Sequence, residues 1–174
     1  DLRALTEALF HRRAGEVTGS PRIVFQGQAR DRPPPYPRVS LLEMGAAALG
    51  LSPADALAGR GLQEALSRAA AREKDSEDAW KLERAAQSPP GVAVALAFEV
   101  FAEKDLPRDR PAFVVDWPLE TSPLSRKRDA DPRLVDRFEL FVAGMEVANA
   151  FSELNDPQDQ RARLGPDDVI RRRT

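Results

Sequence analysis

The sequence predicts an α+β fold in which a helical segment leads into an antiparallel sheet. Two observations carry this prediction. Apolar residues recur at helical spacing over roughly the first hundred residues, among many alanines and alternating charges. β-branched and aromatic residues then form compact segments from Ala112 onward. The chain shows no internal repeat and no low-complexity tract.

The chain starts with a predicted amphipathic helix that needs a partner surface. Its apolar positions are Leu2, Leu5, Leu9 and Phe10, and the helix is expected to end near Gly15. A short β-branched stretch follows at Pro21 to Phe25, and the prolines at positions 33–35 and 37 break any further regular structure. This region is predicted to be a hairpin or an extended connector.

A series of short helices is predicted next. Ser40 followed by Glu43 is a capping-box pattern, which opens a helix that stops at Gly50. A second helix starts at Ser52-Pro53 and stops near Gly59. Further helices are predicted at Leu62–Lys74, Ser76–Gln87 and Val92–Leu106, of which the last is the most apolar.

Strands are predicted in the last third of the chain, at Ala112–Trp117, Asp136–Val142 and Met145–Leu154. The predicted organisation is a helical insertion at about residues 38–106, followed by a sheet at about residues 111–164 that carries the candidate site.

Composition excludes several classes of function. With 174 residues, of which 42% are hydrophobic and 31% charged, the chain fits one soluble globular domain. Its 26 basic and 28 acidic residues are interspersed, so the chain lacks the one-signed electrostatic field that is typical of a nucleic-acid or membrane binder. The absence of cysteine excludes thiolate zinc sites and a cysteine nucleophile, and His11 is the only histidine. A metal site would need carboxylates.

Nothing in the sequence predicts a membrane-spanning segment. The longest apolar run, Gly91 to Phe98, is far shorter than the roughly 20 residues that a spanning helix needs. The first residues are not a basic stretch followed by an apolar one, so no signal peptide is predicted. We therefore expect a cytoplasmic location.

The most informative stretch runs from Arg137 to Asp156. If Ala143-Gly144 is a two-residue hairpin turn, Phe141 opposes Glu146 and Glu139 opposes Ala148, which puts both glutamates on one face. Neighbouring carboxylates repel each other unless a cation compensates them, so the pair predicts a magnesium ion or a substrate ammonium group. The alternative is two solvated glutamates on the open face of a sheet.

Two further polar residues, Asn149 and Glu153, share one face of the second strand, opposite to that of Glu146 in a regular strand. A β-bulge at residues 148–150 would bring all three toward one pocket. The alternative is a polar strand edge, with Asp156-Pro157 capping the next helix.

These residues also carry a family resemblance. The run from Arg137 to Arg161, and a second run from Pro111 to Ser125, closely resemble class II lysyl-tRNA synthetases. The resemblance is dense at about residues 111–164. Upstream, residues 1–7 resemble the helix after the second class II signature, and the helices to Leu106 resemble the family's insertion. The three class II signatures and an anticodon-binding domain are not in the sequence, and residues 165–169 are interpreted as an unrelated tail. The resemblance thus implies an incomplete catalytic domain between the second and third signatures.

The resemblance implies roles for four residues. Glu139 and Glu146 would hold Mg²⁺ ions that bridge the phosphates of ATP, and Asn149 and Glu153 would bind lysine. The implied reaction forms lysyl-adenylate and then transfers lysine to tRNA(Lys), with no protein nucleophile. The implied partners are ATP, lysine, tRNA(Lys) and a second copy in a homodimer. The chain by itself is expected to form lysyl-adenylate poorly, because the arginines that stabilise the α-phosphate belong to the signatures outside it.

Two alternatives remain open. The chain could be a truncated, non-catalytic paralogue that acts as a binding module, or it could belong to the related ligase that attaches lysine to elongation factor P. The second typically has a His-Glu-Leu-Thr-Asp type run where this chain has residues 152–156, Ser-Glu-Leu-Asn-Asp, and this difference favours the tRNA enzyme. The basic cluster Arg126–Arg128 could contact phosphate or be a solvated loop.

Overall fold

The computed structural model describes residues 2–20, 22–25, 27–31 and 33–170, and its helices and mixed sheet confirm the α+β class. Its α-helices are α1 (Leu2–Thr18), α2 (Leu41–Ala48), α3 (Pro53–Leu57), α4 (Leu62–Glu73), α5 (Ala79–Ala86), α6 (Pro90–Ala97) and α7 (Pro157–Ile170). Its strands are β1 (Arg22–Phe25), β2 (Gln28–Asp31), β3 (Arg38–Ser40), β4 (Ala112–Val115), β5 (Trp117–Pro118), β6 (Leu134–Val135), β7 (Arg137–Val142) and β8 (Met145–Phe151).

The helix starts that the sequence predicts from capping residues are confirmed. The Ser40 hydroxyl oxygen accepts a hydrogen bond from the backbone N–H of Glu43 at 3.2 Å, at the start of α2. The Ser52 hydroxyl oxygen accepts one from Asp55 N–H at 3.1 Å, at the start of α3. Each cap satisfies a backbone donor that the first turn of a helix leaves without a partner.

The first helix differs from its prediction. It continues past Gly15 to Thr18 and buries none of its residues, and Leu5 is 64% exposed. Of its predicted apolar positions, Phe10 finds a partner, since its ring lies 6.2 Å from that of Tyr36 in an edge-to-face arrangement, whereas Leu2, Leu5 and Leu9 are exposed. The connector after it forms the hairpin of β1 and β2, while Pro21 lies outside the described residues.

The predicted helix Val92–Leu106 is divided into three parts. After α6 the chain forms a π-helical turn at Phe98–Ala102 and a 3₁₀ turn at Glu103–Asp105. Single π-helical turns are rare and occur frequently at functional sites. This one lies beside the cavity described below.

The main sheet has the order β3-β4-β7-β8, and it is mixed rather than purely antiparallel as predicted. β3 pairs in parallel with β4, whereas β4 with β7 and β7 with β8 are antiparallel. Parallel neighbours need a long crossover connection, and the helices α2 to α6 lie between β3 and β4 in the chain. The helical segment is therefore the crossover of this sheet.

Apolar residues cover both faces of the sheet. One face carries Phe113, Phe138 and Leu140, which pack with Tyr36. The other face carries Val114 and Phe141, which pack with residues of the helical segment that include Leu41, Ala95 and Phe98. No helix in the described residues is long and apolar enough to cross a membrane.

The helical segment packs tightly where α2 crosses α6. A Cβ atom on Gly45 would lie 2.5 Å from the Val94 carbonyl oxygen and 2.9 Å from Val94 Cγ1. We expect Gly45→Ala to lower the free energy of unfolding by about 1–3 kcal/mol, because a backbone oxygen cannot rotate away. Urea denaturation followed by tryptophan fluorescence measures the change.

The matched control is Gly15→Ala in α1, where nothing lies within 4 Å of the added Cβ. That variant should be neutral or more stable, since alanine favours a helix by about 1 kcal/mol over glycine. Equal effects of the two substitutions would contradict the close approach of α2 and α6.

Candidate functional site

The hairpin of β7 and β8 forms the base of the candidate site. Ala143 and Gly144 have φ values of 57° and 81°, which are the positive values that a two-residue type I′ turn requires. This confirms the predicted turn. Phe141 pairs with Glu146, as the turn predicts, and the register then shifts.

A β-bulge in β8 causes this shift. Phe141 pairs with Glu146 and Leu140 with Ala148, so Val147 is the extra residue. The predicted pairing of Glu139 with Ala148 is wrong, because the bulge moves Asn149 opposite Glu139. The bulge was predicted at residues 148–150. It occurs at Val147, one residue closer to the turn.

The bulge changes which side chains share a face. It inverts the alternation after Val147, so Glu146 and Asn149 lie on the same face as Glu139. The Asn149 side-chain amide donates a hydrogen bond to Glu139 Oε1 at 3.1 Å. Three of the four predicted site residues are therefore brought together.

A cavity of about 640 Å³ lies between this face and the helical segment. Its sheet wall includes Arg137, Glu139, Phe141 and Glu146. Glu139 lies at the base of the cavity and is 6% exposed, whereas Glu146 is at an exposed position. The observed positions are consistent with the predicted approach of Glu139 and Glu146, because both side chains line one cavity.

Arg137 is the cation nearest to the buried carboxylate. Its Nη2 donates to Glu139 Oε1 at 2.5 Å, and its Nη1 donates to the Ser122 hydroxyl at 2.7 Å. The guanidinium carbon lies 4.0 Å from the centre of the Trp117 ring, which is a cation–π contact. These contacts hold the guanidinium group in one place beside Glu139.

Burial raises the pKa of Glu139 to about 7. The charge and hydrogen bond of Arg137 oppose this rise, while the negative charges of Glu146 and Glu103 add to it. A carboxylate with a raised pKa beside a second carboxylate is favoured in its charged form by a bound cation. The cavity base is therefore suited to a cationic group.

The opposite wall of the cavity comes from the helical segment. Trp80 and Arg84 of α5 line it, together with Glu99 and Glu103 near the π-helical turn. The pKa of Glu103 is raised, first by burial and then by the charge of Glu99, although Lys81 opposes the rise. The negative character of the cavity thus comes from both walls.

Glu153 lies apart from the other three predicted residues. β8 ends at Phe151, and Glu153 forms an isolated antiparallel bridge with Ser125. Its position is exposed, and it is not among the residues that line the cavity. Asp156 caps α7 as predicted, since its Oδ1 accepts from Gln158 N–H at 2.8 Å.

Sequence reasoning missed Arg137 and Trp117. The available signal for Arg137 was its position two residues before Glu139, which puts both side chains on one face of a strand. Trp117 had no such signal. It lies in β5, outside the main sheet, because Asp116 turns the chain with a φ of 60°.

The residues present fit a divalent cation only in part. Glu139 and Glu146 offer the oxygen ligands that Mg²⁺ prefers. Within the described ranges, no three His, Cys, Asp or Glu side chains come close enough to hold a metal ion by themselves. Mg²⁺ commonly binds through one or two carboxylates plus the phosphates of a substrate, which agrees with two protein ligands.

All three side chains of the basic cluster form ion pairs. Arg126 pairs with Asp129, Lys127 with Asp159, and Arg128 with Asp116, at 3.0, 3.0 and 2.6 Å. This arrangement supports a structural role for the cluster rather than a phosphate-binding loop.

Comparison with known proteins identifies related sequences. The family model described as tRNA synthetases class II (D, K and N) matches residues 1–170, and so extends past Leu164, where the resemblance was expected to stop. Over 164 residues, 94% of the chain, it is 78% identical to a protein named lysine–tRNA ligase from Anaeromyxobacter sp. (strain K). It is 40% identical over 165 residues to one of that name from Pelotomaculum thermopropionicum. The matches cover 32% and 30% of these relatives, so the chain spans about a third of their length.

Proposed function

Because this chain belongs to the class II tRNA synthetases (D, K and N), we propose that it is part of a lysine–tRNA ligase. The main support for the proposal is that the chain is 78% identical over 164 residues to proteins named lysine–tRNA ligase. The bulged hairpin supports it, since the bulge puts two acidic side chains and an amide on one face.

The proposed reaction has two steps. The lysine carboxylate attacks the α-phosphorus of ATP, which forms lysyl-adenylate and releases pyrophosphate. A terminal hydroxyl of tRNA(Lys) then attacks the lysyl carbonyl carbon, which forms lysyl-tRNA and releases AMP. Neither step needs a nucleophile from the protein, so this segment contributes by positioning and by electrostatic stabilisation.

We assign Glu139 and Glu146 to Mg²⁺ binding. When bound, the cation would neutralise phosphate charge. Arg137 and Asn149 both donate to Oε1 of Glu139, and so they orient this carboxylate within the cavity. The pKa of Glu139, which is raised first by burial and also by the charges of Glu146 and Glu103, supports the assignment, because a bound cation would favour the charged carboxylate.

We assign Asn149 and Glu153 to lysine. An acidic group that faces the ε-ammonium group would favour lysine over neutral amino acids, since a neutral side chain would leave the carboxylate without its partner. Glu153 is held by the backbone of the segment around Ser125 rather than by the hairpin.

The remaining assignments follow from the family. We propose that the complete protein binds ATP, lysine and tRNA(Lys), forms a homodimer and acts in the cytoplasm. In domain terms, residues 38–106 would be the helical insertion and residues 111–164 the sheet with the amino-acid and metal site.

Expression from the complete reading frame that contains this sequence tests the function. We expect pyrophosphate exchange into ATP that depends on lysine, and charging of tRNA(Lys). Exchange that is indifferent to lysine would contradict the proposal. Transfer of lysine to a protein instead of tRNA would support the alternative ligase.

The role of Glu153 has its own test. In the same protein, Glu153→Gln should raise the KM for lysine about tenfold or more and leave the KM for ATP nearly unchanged, because it removes one charge and keeps the shape. Steady-state exchange kinetics measure both constants. Glu64→Gln on the exposed face of α4 is the matched control and should behave as wild type. An unchanged lysine KM in Glu153→Gln would exclude this role.

A further inference from the structure

We propose that Arg163 is a positioning residue for Glu153 and acts through the backbone of residues 124–126. This inference rests on the proposed function, because Glu153 is assigned there to the lysine ammonium group. It concerns a residue that does not line the cavity and whose side-chain hydrogen bonds go to Asp159 and Ser125 rather than to the hairpin.

Arg163 is fixed in α7 by a bidentate ion pair. Its Nε and Nη2 donate to the two carboxylate oxygens of Asp159, at 3.1 and 2.6 Å. The Arg163 side chain is only 9% exposed. A guanidinium group that is buried to this extent needs its partners, so its position is well defined.

The third guanidinium nitrogen of Arg163 donates to the backbone of a neighbouring segment. Nη1 donates to the Ser125 carbonyl oxygen at 2.6 Å. Lys127, two residues later, donates to Asp159 Oδ1 at 3.0 Å. Two contacts therefore connect α7 to residues 125–127, and both depend on Asp159 or on its partner Arg163.

Residues 124–126 in turn hold the backbone around Glu153. Leu154 N–H donates to the Leu124 carbonyl at 2.9 Å, and Arg126 N–H donates to the Ser152 carbonyl at 2.7 Å. These two bonds flank the bridge between Ser125 and Glu153. Because β8 ends at Phe151, Glu153 receives no ladder bonds from β7.

The opposite charges of Asp159 and its partners Arg163 and Lys127 stabilise these contacts at neutral pH. The hydrogen bonds from Arg163 and then Lys127 lower the pKa of Asp159 to about 2. Asp159 therefore stays anionic, and Arg163 keeps its partner. The chain of contacts runs from Asp159 through Arg163 and Ser125 to Glu153.

Arg163 could instead serve only to attach α7. That role predicts a general loss of stability, whereas positioning predicts a local effect around Glu153 and a selective effect on lysine. Two measurements separate these outcomes.

The first measurement is amide hydrogen exchange by NMR on the chain itself. We expect Arg163→Gln to accelerate exchange of the Leu154 and Arg126 amides by about tenfold or more, and to leave the Phe113 amide unchanged. Phe113 N–H donates to the Pro37 carbonyl at 2.9 Å, between β4 and the residue before β3, and it serves as the reference amide outside the contacts of α7. Equal acceleration of all three amides, or no acceleration, would overturn the proposal.

The second measurement is exchange kinetics on the protein from the complete reading frame. Arg163→Gln should raise the KM for lysine about tenfold and change the KM for ATP less than about twofold, because displacing Glu153 weakens one substrate only. Arg163→Lys should recover part of the loss, since it keeps the charge toward Asp159. Arg60→Gln, which removes an exposed arginine–aspartate pair in the helical segment, is the matched control. Equal changes in both KM values would overturn the proposal.

If Arg163→Gln does not fold, Asp159→Asn replaces it. This substitution removes the anion to which Arg163 and Lys127 both donate, so the same amides should exchange faster. Unchanged exchange in Asp159→Asn would also overturn the proposal. If the wild-type protein shows no lysine-dependent exchange, the proposed function fails, and the amide measurement still decides whether Arg163 positions Glu153.

Discussion

Phe113→Ala is expected to lower the free energy of unfolding by about 3–5 kcal/mol, the range for truncating a buried phenylalanine. Phe113 is 1% exposed at the centre of β4. Its ring centre lies 5.2 Å from that of Phe138 in an edge-to-face arrangement and 6.0 Å from that of Tyr36. The substitution removes both aromatic contacts and leaves a cavity that the strand backbone cannot fill.

Equilibrium urea denaturation of the chain measures this loss. Leu5→Ala is the control, since Leu5 is 64% exposed and its truncation should change stability by less than about 0.5 kcal/mol. A loss below about 1 kcal/mol for Phe113→Ala would mean that the aromatic cluster does not form the core of the sheet.

Glu139→Gln is expected to lower the rate of lysine-dependent pyrophosphate exchange about a hundredfold or more in the protein from the complete reading frame. Glutamine keeps an oxygen that can accept from Arg137 and Asn149, so the local structure should persist. The variant lacks the anionic oxygen that Mg²⁺ prefers, and it leaves the charge of Arg137 uncompensated in the cavity. Exchange rates measured across a Mg²⁺ titration should show a weaker dependence on the cation.

Two controls accompany this measurement. Glu64→Gln should retain full activity, because Glu64 is exposed on α4 and away from the cavity. Thermal unfolding of Glu139→Gln, followed by tryptophan fluorescence, should show that the variant is still folded at the assay temperature. Wild-type exchange with an unchanged Mg²⁺ dependence would remove Glu139 from the metal assignment.

Local features of the chain were predictable because they depend on neighbouring residues. The caps at Ser40 and Ser52 formed as expected, since each requires only a side-chain oxygen and a backbone N–H three residues later. The Ala143-Gly144 turn was predictable for the same reason. The pairing of Phe141 with Glu146 followed directly from this turn.

Three of the four predicted site residues lie on one face of the hairpin, but their geometry was only partly predictable. The resemblance of residues 137–156 to a known family singled out Glu139, Glu146, Asn149 and Glu153. The pattern of residues also called for a bulge, because Asn149 otherwise faces away from Glu146. The pattern did not determine where the bulge occurs, since several small or β-branched residues there can accept an unpaired position.

The sequence by itself therefore determined the α+β class, the capped starts of two helices, the hairpin turn and the family. Each of these depends on periodicity, on short-range hydrogen bonds or on residue identity along the chain. Only the tertiary structure decided the parallel pairing of β3 with β4, the bulge at Val147, and the stacking of Arg137 on Trp117. These features join residues that are far apart in the chain or depend on which backbone groups pair across strands. Their energies come from packing and burial in the assembled sheet, which no local pattern encodes.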